Sequence, residues 1–131
     1  MLVWIVAVLA VFVAQTLLAP SMRHFSGGRG LAENVRFALG PRDEQGAPSP
    51  LASRAQRALT NMHEALPVFI TLALLHVIRA TPGALPELGA AVFTIARVLY
   101  VPAYLSGIPG VRSLCWATGA AALGVMAVAL F

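Results

Sequence analysis

The stretch RAQRALTNMHEALPVFITLALL, Arg54–Leu75, joins a polar opening to an apolar continuation without a break. Arg57, Asn61 and Glu64 stand four and three residues apart, so a helix carries them along one side, with Val68 continuing the line. Pro67 lies beside them, and from Ala65 to Leu75 the chain is mostly apolar. An arginine, an amide and a carboxylate on the approach to such a run need a reason, and the rest of the chain supplies the setting.

Hydrophobic residues make up 59% of the 131 positions and charged residues only 11%. That is about half the charged share of an average soluble domain. So few polar groups cannot cover so much apolar surface in water, and the composition points to a membrane protein. The opening MLVWIVAVLAVFVAQTLLAP, Met1–Pro20, has no basic start, and its apolar run of about 18 residues exceeds a signal-peptide core. It reads as a span. Four spans follow, at about residues 2–19, 54–78, 88–105 and 111–131, with a polar loop over 21–53. Each approaches the ~20 residues needed to cross ~30 Å of hydrocarbon. Helices satisfy their own backbone groups in lipid, so the expected fold is an all-α, four-helix transmembrane bundle in one domain, 1–131. LAENVRFAL, Leu31–Leu39, reads as a short surface helix inside the loop, and Pro20 as the stop of the first span.

All nine basic side chains are arginine. Arg23, Arg29, Arg36, Arg42, Arg54 and Arg57 lie in or beside the first loop, Arg112 flanks the third, and the other side carries Arg79 alone. The positive-inside rule puts the first and third loops in the cytoplasm and both termini outside. The expected location is the inner membrane of a bacterium, with periplasmic termini. No basic face with interleaved aromatics is present, so nucleic acid is not an expected partner. Cys115 is the single cysteine and reads as a small buried apolar side chain. No group of residues has metal-ligand spacing, so no metal is expected. His76, near the end of the second span, reads as solvated or interfacial.

The third span has a polar stripe of its own, Arg97, Tyr100 and Tyr104, and the fourth begins with Arg112 and Ser113. Because the third span runs opposite to the second, Tyr104 should lie near the cytoplasm and Arg97 about 10 Å deeper. The three stripes then meet in one band in the cytoplasmic half. An arginine at a helix centre costs roughly 2.5–3.5 kcal/mol on insertion scales, so such groups are expected to face the bundle interior or a wet cavity. A purely structural reading pairs Arg97 or Arg57 with Glu64 to pin two helices together. It leaves surplus positive charge, since Arg57, Arg97 and Arg112 face a single carboxylate. An anion with carboxylates would balance it, because the planar guanidinium binds them bidentately.

These residues resemble the MAPEG family, the membrane-associated proteins in eicosanoid and glutathione metabolism. RALTNMHEALP matches the family's arginine–alanine, asparagine, glutamate and proline pattern at Arg57, Ala58, Asn61, Glu64 and Pro67. ARVLYVPAYLSGIPGVRS matches its second motif at Arg97, Tyr100, Tyr104, Arg112 and Ser113. The resemblance implies a homotrimer that binds glutathione between neighbouring protomers. Arg57, Asn61, Glu64, Tyr100 and Tyr104 would hold glutathione, with Arg97 and Ser113 also in its site, and Arg112 would stabilise the thiolate. It departs from the family at Trp116, where members often have a tyrosine, and at Thr60, where some have a cationic or polar residue.

The implied activity is a glutathione-dependent transferase or peroxidase acting on a lipophilic electrophile that arrives from the lipid. The alternative is a non-catalytic lipid-binding or helper protein on the same scaffold, because a fold does not determine a function.

Overall fold

The computed structural model describes residues 1–25, 30–40, 47–80 and 83–131. Arg29 and Arg42, two of the arginines assigned to the first loop, lie outside the described residues. The described residues form five helices, α1 (Leu2–Phe25), α2 (Leu31–Leu39), α3 (Pro50–Ile78), α4 (Ala84–Ser106) and α5 (Val111–Val128), and contain no strand. The helices α1, α3, α4 and α5 are long and apolar enough to cross a membrane, and α2 is the short helix expected inside the first loop. The chain is an integral, multi-pass membrane protein with an all-helical fold.

Three helix ends differ by four residues or more from the sequence expectation, and α5 ends at Val128 rather than at residue 131. Pro20 does not stop α1, which continues to Phe25. Proline removes one backbone N–H and crowds the carbonyl four residues back. Here Pro20 cannot donate to Thr16 O, and the helix passes through with the loss of that one bond. The start of α3 lies at Pro50 rather than Arg54, because Ser49 accepts from Ala52 N at 3.1 Å and Pro50 occupies the first turn. A side-chain cap followed by proline is a favoured helix opening. Likewise α4 starts at Ala84, with Pro86 in a first turn whose N–H groups need no helical partner. Both α3 and α4 remain α-helical across Pro67 and Pro102.

Contacts at the helix ends establish an alternating up-and-down order. The N-terminal ammonium and the Trp4 indole of α1 both donate to Glu87 at the start of α4. At that same end His76 of α3 bonds Met126 O of α5 at 2.8 Å, and Arg79 donates to Leu130 O at 2.7 Å. At the opposite end Arg54 of α3 donates to Leu105 O of α4 at 3.0 Å. The starts of α3 and α5 and the ends of α1 and α4 therefore share one end, the arginine-rich one.

Packing between the helices relies on small residues. The buried face of α3 reads Ala52, Ala55, Ala58, Leu59, Met62, Phe69 and Ala73. Phe69 stacks on Phe93 of α4, with centroids 4.7 Å apart and rings 8° from parallel. Gly89 of α4 lets α5 approach so closely that a Cβ there would lie 2.7 Å from Met126 Cγ and 3.2 Å from Ala122 O. This is the small-residue packing typical of membrane helices. Two polar side chains are also in the interior. His76 is buried, not solvated, and its ring caps the free Met126 carbonyl in the last turn of α5. Gln15 of α1 is buried, and neither of its amide atoms has a hydrogen-bond partner.

Candidate functional site

The polar stripes of α3, α4 and α5 meet at the arginine-rich end, but they do not all turn inward. Arg97 does: it is 3% exposed. Its guanidinium lies 4.9 Å from the centroid of Phe93 and 5.6 Å from that of Tyr100. The α5 backbone leaves room for it, since a Cβ on Gly119 would stand 3.3 Å from Arg97 Nη2. Arg97 Nη1 donates to Asn61 Oδ1 at 2.7 Å, and Asn61 Nδ2 makes a longer contact of 3.5 Å to Glu64 Oε2. Arg97 Nε is buried without a hydrogen-bond partner.

The ion pair considered from sequence is not formed. Among the described residues, neither Arg97 nor Arg57 pairs with Glu64, and Asn61 stands between Arg97 and the carboxylate. Nor is the whole band internal. Tyr100 is buried with Arg97, Asn61 and Tyr104 are half-buried, and Arg57, Glu64, Arg112 and Ser113 are exposed on this single chain. The cause is the rotation of α3. Its alanine face packs against the other helices, and this turns Arg57 and Glu64 toward the rim of the bundle.

Arg57 and Arg112 converge on one ring. Their guanidinium carbons lie 5.9 and 5.0 Å from the centroid of Tyr104, which meets Tyr100 edge-on at 5.4 Å. Cations over an aromatic face are attracted by its quadrupole, so the ring holds two like charges in one place. Beside them opens a cavity of about 300 Å³ lined by Arg54, Arg57, Ala103, Tyr104, Arg112 and the α4–α5 turn, Gly107–Gly110. Three guanidiniums border it and no carboxylate does. Arginine's fork binds carboxylate and phosphate bidentately, so the lining suits an anion.

The structure thus divides the eight residues singled out from sequence. Arg57, Tyr104 and Arg112 surround the cavity. Arg97, Asn61 and Glu64 form a chain of contacts deeper along the helices, and Tyr100 touches both groups. Ser113 is exposed and is not part of the cavity lining. Arg54 was read from sequence only as the edge of a span. Its position three residues before Arg57 was the available signal, because that spacing puts both on one helix face.

A second hollow, of about 240 Å³, lies between α4 and α5. Val92, Ile95, Ala96, Leu99, Leu114, Cys115 and Thr118 line it, so it is almost wholly apolar. Cys115 is half-buried there, not fully enclosed as expected. Trp116, on the next position of α5, is 50% exposed.

The sequence model of the MAPEG family matches residues 1–131, the whole chain. The chain belongs to the MAPEG family. No curated protein matches it. MAPEG membership joins it to membrane proteins of glutathione-related transfer and eicosanoid metabolism. It also agrees with the two motifs, one on α3 and one across the α4–α5 turn, that furnish the polar groups described above.

Proposed function

We propose that this MAPEG protein is a membrane-bound, glutathione-dependent transferase or peroxidase acting on lipophilic electrophiles. The observation that carries the reading is the cavity bordered by Arg54, Arg57 and Arg112 with no carboxylate in its lining. Glutathione would bring two carboxylates and, after deprotonation, a thiolate. Arg112 would stabilise the thiolate, because a neighbouring cation lowers a thiol's pKa and raises its reactive fraction. Arg57, Asn61, Glu64, Tyr100 and Tyr104 would position the tripeptide, with Glu64 available to its ammonium group. In the transfer step the sulfur lone pair forms an S–C bond to the electrophilic carbon, and the leaving group or displaced electron pair takes a proton from water.

In this reading the arginine-rich end faces the cytoplasm and the chain assembles as a homotrimer. A neighbouring copy would cover the exposed Arg57, Glu64 and Arg112 and exclude water from the cavity. The apolar hollow between α4 and α5 would give a lipophilic acceptor a path within the bilayer.

Titration of glutathione into detergent-purified protein, followed by thiolate ultraviolet absorbance at neutral pH, tests the proposal. A thiolate signal that disappears in Arg112→Ala is expected. An Arg112→Ala protein indistinguishable from wild type would refute the role of Arg112.

Trp116 favours a second reading, a non-catalytic lipid-binding helper. Its indole cannot serve as a phenolic acid, and it is exposed on α5. That reading requires a lipophilic probe to bind equally well with and without Arg112, and requires no turnover of a model electrophile.

A further inference from the structure

We propose that Arg54 is a ligand-binding residue of this cavity, where it grips a carboxylate and so makes the site selective for thiols that carry free carboxylates. This deepens the glutathione reading and rests on it.

The placement of Arg54 is constrained from two sides. Its Nη1 donates to Leu105 O at 3.0 Å, one of the carbonyls left free at the end of α4. Its guanidinium also lies directly under Gly107, the left-handed residue that ends α4 at φ 72°. A Cβ on Gly107 would stand 2.7 Å from Arg54 Cζ, Nη1 and Nη2. The backbone conformation favours glycine there, and any side chain at this position would push the Arg54 guanidinium aside. Capping α4 accounts for one of the five N–H donors of a guanidinium. It does not account for the same group bordering a cavity shared with Arg57 and Arg112.

The three cations are not equivalent. Arg57 and Arg112 both lie against Tyr104, whereas Arg54 is anchored to backbone and keeps its remaining donors for a ligand. Three like charges around about 300 Å³ repel one another until an anion enters. A ligand whose carboxylates are esterified relieves less of that repulsion, and this is the physical basis of the selectivity.

The test compares affinities of the full-length protein in detergent, by titration calorimetry, for glutathione and for glutathione diethyl ester. Wild type should bind glutathione the more tightly. Arg54→Gln should lose roughly 10- to 100-fold in glutathione affinity, the range for a hydrogen bond to a charged group, while its affinity for the ester changes little. Gly107→Ala displaces the guanidinium without removing its charge and should shift the ratio in the same direction, and Arg54→Lys should recover part of the loss. If Arg54→Gln leaves the ratio of the two affinities at the wild-type value, whether or not it lowers thermal stability, Arg54 is a helix cap alone and the proposal is overturned. Succinate, a dicarboxylate without sulfur, separates this result from failure of the glutathione reading. Succinate binding that is lost in Arg54→Gln supports the carboxylate role even if no thiol binds. Succinate binding unaffected by Arg54→Gln, or absent from wild type, overturns it.

Discussion

Arg97 of α4 donates a 2.7 Å hydrogen bond to Asn61 of α3, and through it one buried cation orients the polar edge of a neighbouring helix. Asn61 in turn reaches toward Glu64, so the deepest charge of the site is linked to the carboxylate nearest the rim.

Arg97→Ala should therefore have two effects. It empties a buried volume packed by Phe93 and Tyr100, at a cost on the order of 2 kcal/mol, visible as a lower unfolding midpoint in detergent. It also frees Asn61, so anionic ligands should bind about fivefold more weakly, the equivalent of one net hydrogen bond. Unchanged ligand affinity in a folded Arg97→Ala protein would show that Asn61 needs no positioning.

Gly119→Ala brings a methyl group to 3.3 Å from Arg97 Nη2 and should cost about 1 kcal/mol. Gly119→Leu overfills the same space and should cost roughly 1–3 kcal/mol. Combined with Arg97→Ala, either substitution should lose much of its effect, because residues in contact are not additive. Simple addition in that double variant would argue against the contact.

Tyr104 should act mainly through its ring. Tyr104→Phe retains the surface under Arg57 and Arg112, so glutathione affinity should fall by no more than about threefold, the share of a single hydroxyl hydrogen bond. Tyr104→Leu removes two cation–ring contacts worth about 0.5–1 kcal/mol each at exposed sites, and affinity should fall by roughly tenfold. Equal losses in the two variants would assign the effect to the hydroxyl.

Gly89→Ala tests the closest helix approach. The added Cβ meets Met126 Cγ at 2.7 Å and the Ala122 carbonyl at 3.2 Å, and overpacking of this kind costs about 1–3 kcal/mol. Met126→Ala removes the first clash but not the second. The double variant should therefore be more stable than the sum of the single losses allows, by thermal unfolding in detergent.

The sequence alone determined the membrane class, the number of spans and the end of the bundle at which the polar residues gather. Composition, span length and helical spacing are properties of the chain as written, and none depends on a neighbour. They also placed Arg57, Asn61 and Glu64 on one face of α3, as the structure has them. What they could not supply is the rotation of each helix about its own axis. Ala52, Ala55 and Ala58 decide that for α3, by allowing other helices closer to their side than to any other. Only then is Arg97 enclosed while Arg57 is left at the rim, with Asn61 in the place where an ion pair to Glu64 was considered. Arg54 joins the cavity for the same reason: its partners, Leu105 and Gly107, lie some fifty residues away and meet it only when α3 and α4 pack antiparallel.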